Sequence, residues 1–180
     1  ERELLLFNWT EPLLHPQIGA MVALAKARGH YVFVSTNLNV PASRIEELLA
    51  AQPDCIKVSL SSFDQVVYEQ THVRGNIAKV LDNLELIAKH PQASSVEVIV
   101  GHHLYRNTVD QQPRIRAFCA QRGFIYAPST AIVAPLEKLL GFKMGSIKRE
   151  ELPLVDQLLW DPEQNAAIGQ AQRSGQFDCE

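Results

Sequence analysis

The sequence predicts an α/β protein in which a parallel sheet is built from alternating strands and helices. Short runs rich in β-branched and aromatic residues alternate strictly with segments of helical periodicity. The first run has no polar alternation, which is typical of a strand that is covered on both faces. A closed eight-unit barrel needs about 250 residues. A chain of 180 residues therefore predicts either an open sheet or part of a barrel.

Five strands are predicted, and their runs lie at residues 4–8, 31–36, 55–60, 96–100 and 124–127. If the first run were an edge strand, it would expose unpaired backbone groups along a hydrophobic ribbon, which natural proteins avoid. We therefore expect another strand to precede it, so that the first βα unit of the fold is missing from this chain.

Helices are predicted between the strands, and the one at residues 77–89 has the clearest pattern. Its apolar residues recur at helical spacing behind Asn76, which is a suitable N-cap. Ser43 is the expected N-cap of a helix at 44–51. The other predicted helices lie at residues 18–27, 65–71 and 110–121.

The pattern changes after residue 128, which predicts two regions in the chain. Residues 1–128 are expected to form the partial barrel. Short helices at 134–140 and 150–160 predict a helical connector over residues 129–180.

The composition excludes several classes of partner. A net charge of −3 with interspersed signs gives no field that favours nucleic acid or an anionic membrane. No apolar stretch approaches the roughly 20 residues that span a bilayer. The three cysteines are widely spaced and include no Cys-x-x-Cys pair, so neither a disulfide framework nor a zinc site is indicated. We expect a reducing, cytoplasmic location, with Cys55 and Cys119 acting as small buried hydrophobes.

Polar residues follow every predicted strand, and the carboxyl ends of parallel strands gather at one edge of a sheet. We call this the carboxyl edge. A carboxylate among hydroxyls and amides suits a zwitterionic ligand, with Glu11 accepting from an ammonium group and serines contacting sugar hydroxyls. Any single serine or threonine there also has a structural explanation, because such residues bond nearby backbone. The residues are Asn8, Thr10, Glu11, Ser35, Thr36, Asn37, Ser59, Ser61, Ser62, Asp64, Gly101, His102, His103, Ser129 and Thr130.

Two other candidate sites are open from the sequence. His102 and His103, with Glu11 or His15, could form a metal site of a hydrolase or isomerase, although adjacent side chains diverge and a loop histidine is the favoured reading. Arg74 could hold a carboxylate in a bidentate pair. The sequence contains no Gly-rich phosphate loop and no nucleophile elbow, so neither nucleotide phosphates nor serine hydrolysis is indicated.

Three segments, in order and in their strand positions, resemble motifs of the radical S-adenosylmethionine (radical SAM) superfamily. Residues 9–12, Trp-Thr-Glu-Pro, resemble the Gly-Glu-Pro motif after the second strand of the family. Residues 35–37, Ser-Thr-Asn, resemble the Ser-Thr-Asn-Gly turn, and residues 58–84 resemble the serine-rich fourth strand with its Arg-Gly segment. The resemblance implies a partial (β/α)6-type TIM barrel, of which the five predicted strands are the second to the sixth.

The resemblance also implies roles for individual residues. Glu11 matches the contact to the methionine ammonium of the cofactor, with the backbone near Thr10 beside it. Ser59 matches a ribose contact, and Arg74 matches an arginine that meets the cofactor carboxylate. Asn37 and Ser61 complete the expected cofactor-binding set. Three turns depart from the family, with Thr10 and Leu38 at glycine positions and Ser61-Ser62 in place of Asp-Gly.

The resemblance further implies a 4Fe-4S cluster in the complete protein. The Cys-x-x-x-Cys-x-x-Cys loop that holds this cluster after the first strand does not occur in the sequence. We therefore expect an enzyme core that binds S-adenosylmethionine but does not cleave it as this fragment. Cys179 resembles the first ligand of an auxiliary cluster in peptide-modifying members, so a peptide or protein substrate is expected. A degenerate, non-catalytic barrel stays open as an alternative.

Overall fold

The computed structural model describes residues 2–7, 10–132 and 136–159. Its strands form one five-stranded sheet in chain order, β1-β2-β3-β4-β5. The pairs β1·β2, β2·β3 and β3·β4 are parallel. This confirms the predicted α/β fold with alternating helices. The strands are β1 (Glu3–Leu6), β2 (Tyr31–Thr36), β3 (Cys55–Leu60), β4 (Glu97–Leu104) and β5 (Ile125–Thr130).

The described residues form six α-helices between and after the strands, and most begin and end close to their predicted bounds. Asn76 caps the longest helix by accepting a 3.1 Å hydrogen bond from the Lys79 backbone N–H, as the sequence predicted. The helices are α1 (Ile18–Ala27), α2 (Ala42–Ala50), α3 (Gln65–Thr71), α4 (Ile77–Lys89), α5 (Gln112–Ala120) and α6 (Leu136–Lys143).

Two helix predictions were wrong. Helix α2 begins two residues earlier than expected, because Pro41, with φ −59°, fixes the start where no side-chain cap is present and Ser43 lies inside the helix. The helix expected at 150–160 is replaced by two short 3₁₀ turns, Arg149–Glu151 and Val155–Gln157. Pro153 lies between these turns and Leu154 has a φ of +53°, so the backbone does not continue as a helix there.

The two faces of the sheet differ in burial. On the outer face, which packs against the helices, the alternate residues of β2, β3 and β4 are fully or almost fully buried: Val32, Val34, Thr36, Ile56, Val58, Leu60, Val98, Val100 and His102. On the inner face the alternating residues include several that are only partly buried: Tyr31, Phe33, Ser35, Lys57, Ser59, Ile99 and His103. The inner face is therefore the less completely covered side of the sheet.

The turn after β2 is held by a helix distant in sequence. Leu38 is fully buried with a φ of +61°. The buried Asn83 of α4 donates hydrogen bonds to the carbonyls of Leu38 and Val40, at 3.0 and 2.9 Å. These bonds satisfy two backbone carbonyls of a buried loop and fix its path at the carboxyl edge.

The chain forms two compact units, residues 1–103 with 110–129, and residues 104–109 with 130–180. The first contains the sheet core and the residues discussed below. In the second, Ala131, Leu152 and Leu158 form a small apolar cluster among the described residues. The predicted domain boundary at residue 128 stays a prediction. No helix in the described part of the chain has the length and apolar character needed to cross a bilayer.

Candidate functional site

Glu11 lies at the carboxyl edge and joins the ends of two strands. Its Oε1 accepts hydrogen bonds from the Thr36 hydroxyl at 2.7 Å and from the Leu13 backbone N–H at 3.1 Å. Its Oε2 accepts from the Asn37 backbone N–H at 2.7 Å. The carboxylate thus ties the segment after β1 to the end of β2.

The hydrogen bonds of Glu11 show a capping role that was not predicted from the sequence. Glu11 is the N-cap of a 3₁₀ turn, Pro12–Leu14, with Pro12 in the first position of the turn. An acidic residue directly before proline is itself a signal for such a cap. A carboxylate has about four acceptor positions. Residues that the structure describes use three of them, two on Oε1 and one on Oε2.

Asn37 and Asn39 shape the loop after β2. Asn37 Oδ1 accepts from the Asn39 backbone N–H at 2.9 Å, which closes a local turn. The Asn39 side chain donates to the Tyr68 hydroxyl at 2.6 Å and accepts from the Asn76 backbone N–H at 2.8 Å. Asn37 therefore has a turn-forming role, and Asn39 connects this loop to helices α3 and α4.

Tyr68 was not predicted from the sequence, but it belongs to the same edge. Its side chain is fully buried, and burial raises the pKa of its hydroxyl to about 12, with the negative charge of Glu11 adding to the rise. Its ring stacks on His72, with centroids 4.4 Å apart and planes within 4°. A single tyrosine within an amphipathic helix gives no sequence signal that separates this role from packing.

Ser61 is fully buried directly after β3 and is bonded within the chain. Its hydroxyl lies 2.6 Å from Thr71 Oγ1 and 3.3 Å from His72 Nδ1. Burial lowers the pKa of His72 to about 4, and the charge on His103 contributes to the lowering. A neutral imidazole at neutral pH can accept from these hydroxyls. The cofactor contact that the sequence predicted for Ser61 stays a prediction, and these bonds compete with it.

The inner face carries polar side chains from β3 and β4, among them Lys57, Ser59 and His103. Ser59 pairs in register with Gly101 of β4, and its side chain is half-buried. Burial lowers the pKa of His103, and the positive charge of Lys57 lowers it further. Lys57 was not predicted as a site residue, because it lies within β3 and the predicted site residues lie at the ends of the strands. The period-2 alternation of β3 would have placed Lys57 on the same face as Ser59.

The structure does not support a metal site formed by His102 and His103 with Glu11 or His15. His102 and His103 lie within β4 and point to opposite faces, and the fully buried His102 pairs in register with Leu60 on the outer face. His102 Nδ1 lies 2.9 Å from the Tyr126 hydroxyl. Within residues 2–7, 10–132 and 136–159, no group of three or more His, Cys, Asp or Glu side chains is placed to hold a metal ion.

The remaining predicted residues are more peripheral. Thr10 is exposed, and it lines a cavity of about 250 Å³ beside β1 together with Leu5, Phe7 and Met21. Arg74 is exposed, with a φ of +61°, so its role as a carboxylate clamp stays a prediction.

The cysteines have the character that the sequence predicted, as far as the structure describes them. Cys55 and Cys119 are buried, and burial raises the pKa of each thiol to about 11. Both behave as small apolar side chains. Asn8, Trp9 and Cys179 lie outside the described residues.

Comparison with protein families gives one match. The model of the radical SAM superfamily matches residues 2–111, which is more than half of the chain. No curated protein matches the sequence.

Comparison with solved structures gives the same fold. TYW1 with a lysine-pyruvate adduct bound has a TM-score of 0.58 at 15% identity, covering 87% of this chain and 47% of that chain. Archaeal TYW1 has a TM-score of 0.56 at 15% identity, covering 83% and 50%. SuiB from Streptococcus suis, bound to S-adenosylmethionine, has a TM-score of 0.58 at 10% identity, covering 95% and 36%. These likenesses show the fold, and the chain spans about half the length of the two TYW1 structures or less.

Proposed function

The chain belongs to the radical SAM superfamily, and from that premise we propose that its carboxyl edge and inner face bind S-adenosylmethionine. The observation that carries this proposal is the carboxylate of Glu11. It is oriented by Thr36, Leu13 and Asn37, and among the described residues it keeps one acceptor position on Oε2. An oriented carboxylate with a remaining acceptor position suits the ammonium group of the methionine part of the cofactor.

The residues of the inner face suit the other end of the cofactor. Ser59 is half-buried on that face, and a hydroxyl there would suit a hydrogen bond to a ribose hydroxyl of the cofactor. Phe33 and Phe7 form an edge-to-face pair with centroids 5.9 Å apart, which gives this side of the sheet an apolar surface. Such a mixture of apolar surface and a few polar groups is typical of cofactor sites.

S-adenosylmethionine, with a reduced iron–sulfur cluster, supplies radical chemistry that removes a hydrogen atom from a substrate. The described residues do not provide a cysteine ligand set for such a cluster, since their two cysteines are buried at different places in the core. We therefore assign this chain the binding and orientation of the cofactor and derive no step through the cluster. The complete enzyme is proposed to modify a substrate, for which a peptide is one candidate.

Calorimetric titration of the chain with S-adenosylmethionine tests the proposal. We expect saturable binding that Glu11→Gln weakens about tenfold, because the ammonium loses a charged acceptor. Glu69→Gln is the matched control, since it removes one carboxylate from the exposed face of α3. Thermal unfolding of each variant checks that the fold is intact. Absence of saturable heat from the unmodified chain, or equal binding by Glu11→Gln, would overturn the proposal.

A further inference from the structure

Lys57 lies in the middle of β3 on the inner face, and its side chain crosses a position of β4 that has no side chain. Lys57 pairs in register with Ser35 on one side and Ile99 on the other. A β-carbon built on Gly101 of β4 would lie 2.9 Å from Lys57 Cε and 3.9 Å from Cγ. The Lys57 side chain thus lies over Gly101, and any larger residue at position 101 would displace it.

The Lys57 ammonium has no anionic partner in the described part of the chain. The ion pairs of that part join Lys26 to Asp54, Arg44 to Glu47, and Lys89 and Arg122 to Glu85. Lys26 illustrates the contrast, since its ammonium lies 2.5 Å from the Asp54 carboxylate. A half-buried lysine without a carboxylate partner has lost part of its hydration, and an anion that binds there restores the lost interaction.

The neighbours of Lys57 indicate which anion fits. Ser59 lies two residues nearer the carboxyl edge on the same face, and His103 lies close enough that the charge on Lys57 lowers its pKa. One ammonium group and a few uncharged polar side chains match the one charge of a carboxylate. A phosphate is usually held by a glycine-rich loop at a helix N-terminus, and the sequence contains no such loop.

We propose that Lys57, over Gly101, forms a subsite on the inner face that binds a carboxylate group of the substrate. The Lys57 backbone lies one alternation of β3 before Ser59, but its side chain extends over Gly101, which pairs with Ser59, so a carboxylate held there would lie near Ser59 on the inner face. The proposal rests on the proposed function in one respect. It assigns the bound carboxylate to the substrate of the radical reaction, and it names that substrate as a carboxylic acid or an acidic peptide.

Backbone amide NMR of the chain tests the subsite, with sodium acetate as the probe and the Ser59 and Gly101 signals as the readout. We expect saturable shifts in the unmodified chain and at least about fivefold weaker binding by Lys57→Gln, in line with the loss of one ion pair. Lys79→Gln, which removes an exposed lysine of α4, is the matched control and should bind acetate normally. Gly101→Ala keeps the charge of Lys57 but fills its space, so it should also weaken binding.

Three further titrations distinguish the possible sources of the anion and test the two proposals separately. Inorganic phosphate should bind more weakly than acetate, and tighter phosphate binding would overturn the carboxylate assignment. A short peptide with one glutamate, compared with acetate, distinguishes an acidic peptide from a free acid. S-adenosylmethionine also carries a carboxylate, so equal loss of cofactor binding by Lys57→Gln would overturn the proposal by assigning Lys57 to the cofactor.

The outcomes for the two proposals are distinguishable. Acetate binding that depends on Lys57, together with no cofactor binding by the unmodified chain, would support the carboxylate subsite and reject the proposed function. Shifts that do not saturate, or that are the same in Lys57→Gln, would overturn the subsite whatever the cofactor does.

Discussion

The outer and inner faces of the same sheet are built from residues of different character, although they alternate along the same strands. In β3 the outer residues Ile56, Val58 and Leu60 are fully buried against helices, whereas the inner residues Lys57 and Ser59 are half-buried. The outer face contributes free energy of folding through the apolar area it removes from water. The inner face, where several side chains are only partly buried, contributes less of this free energy.

The difference between the two faces predicts which substitutions affect ligand binding and which affect folding. Under the proposed function, substitutions on the inner face should alter what the protein binds while leaving most of the buried apolar area unchanged. Substitutions on the outer face alter whether the protein folds. The following predictions test this division, beginning with the largest expected effect on the free energy of unfolding.

Ile56→Ala on the outer face should lower the free energy of unfolding by about 2–5 kcal/mol, because it leaves a cavity in a fully buried core. Urea denaturation followed by circular dichroism measures the change. Ile99→Ala makes the same substitution on the inner face, where the side chain is only partly buried, and should cost clearly less. Equal losses at the two positions would contradict the division between the faces.

Asn83→Ala should lower the free energy of unfolding by about 1–3 kcal/mol, because the carbonyls of Leu38 and Val40 lose their buried donor. The same denaturation experiment measures this loss. Asp82→Ala, on the less buried side of α4, is the control and should change stability little. A neutral effect of Asn83→Ala would show that water replaces the amide in this loop.

His72 should make stability depend on pH. Its pKa is lowered from 6.5 to about 4 in the folded protein, so the unfolded chain binds the proton first as the pH falls. The contribution is fully present above pH 6.5 and is lost progressively as the pH falls toward 4. His72→Phe keeps a ring against Tyr68 and should reduce the slope of stability against pH in this window.

His102 and His103 also have lowered pKa values, so some slope should remain in the His72→Phe variant. His15→Phe, at an exposed position, serves as the control. Thermal unfolding temperatures at a series of pH values give the slope. If His72→Phe leaves the slope unchanged, the imidazole of His72 is not shielded in the way the structure shows.

Ser59→Ala should have the smallest effect on stability, within about 0.5 kcal/mol, because the side chain lies on the inner face. Under the proposed function it should still weaken S-adenosylmethionine binding about fivefold, through the loss of one hydrogen bond. Ser94→Ala, at an exposed turn, should change neither quantity. A large loss of stability with unchanged cofactor binding would place Ser59 among the residues that support the fold.

Much of the fold could be predicted from the sequence because burial imposes simple periodicities. Strands β2 and β3 and helices α1, α3 and α4 have the predicted bounds, since each combines a clear apolar pattern with a turn or cap residue. The errors occurred where backbone geometry outweighed pattern. Pro41 started α2 early, and Pro153 with Leu154 interrupted the last predicted helix.

The candidate site was predicted less completely, for a different physical reason. The residues after each strand are visible in sequence, so Glu11 and Asn37 were found and do meet at the carboxyl edge. The side chains that hold the loop after Asn37 come from distant segments: Tyr68 of α3 bonds Asn39, and Asn83 of α4 bonds the Leu38 carbonyl. Pairings across about 30 to 45 residues leave no local signal.

The turn at Leu38 has a consequence for the order in which the molecule folds. A leucine with φ near +61° is unfavourable in an isolated loop, so local interactions alone do not hold this conformation. Its support comes from Asn83, 45 residues along the chain, and from burial in the assembled core. We expect the sheet and α4 to come together first and the turn to close onto them afterwards, so that the carboxyl edge is among the last parts of the protein to be completed.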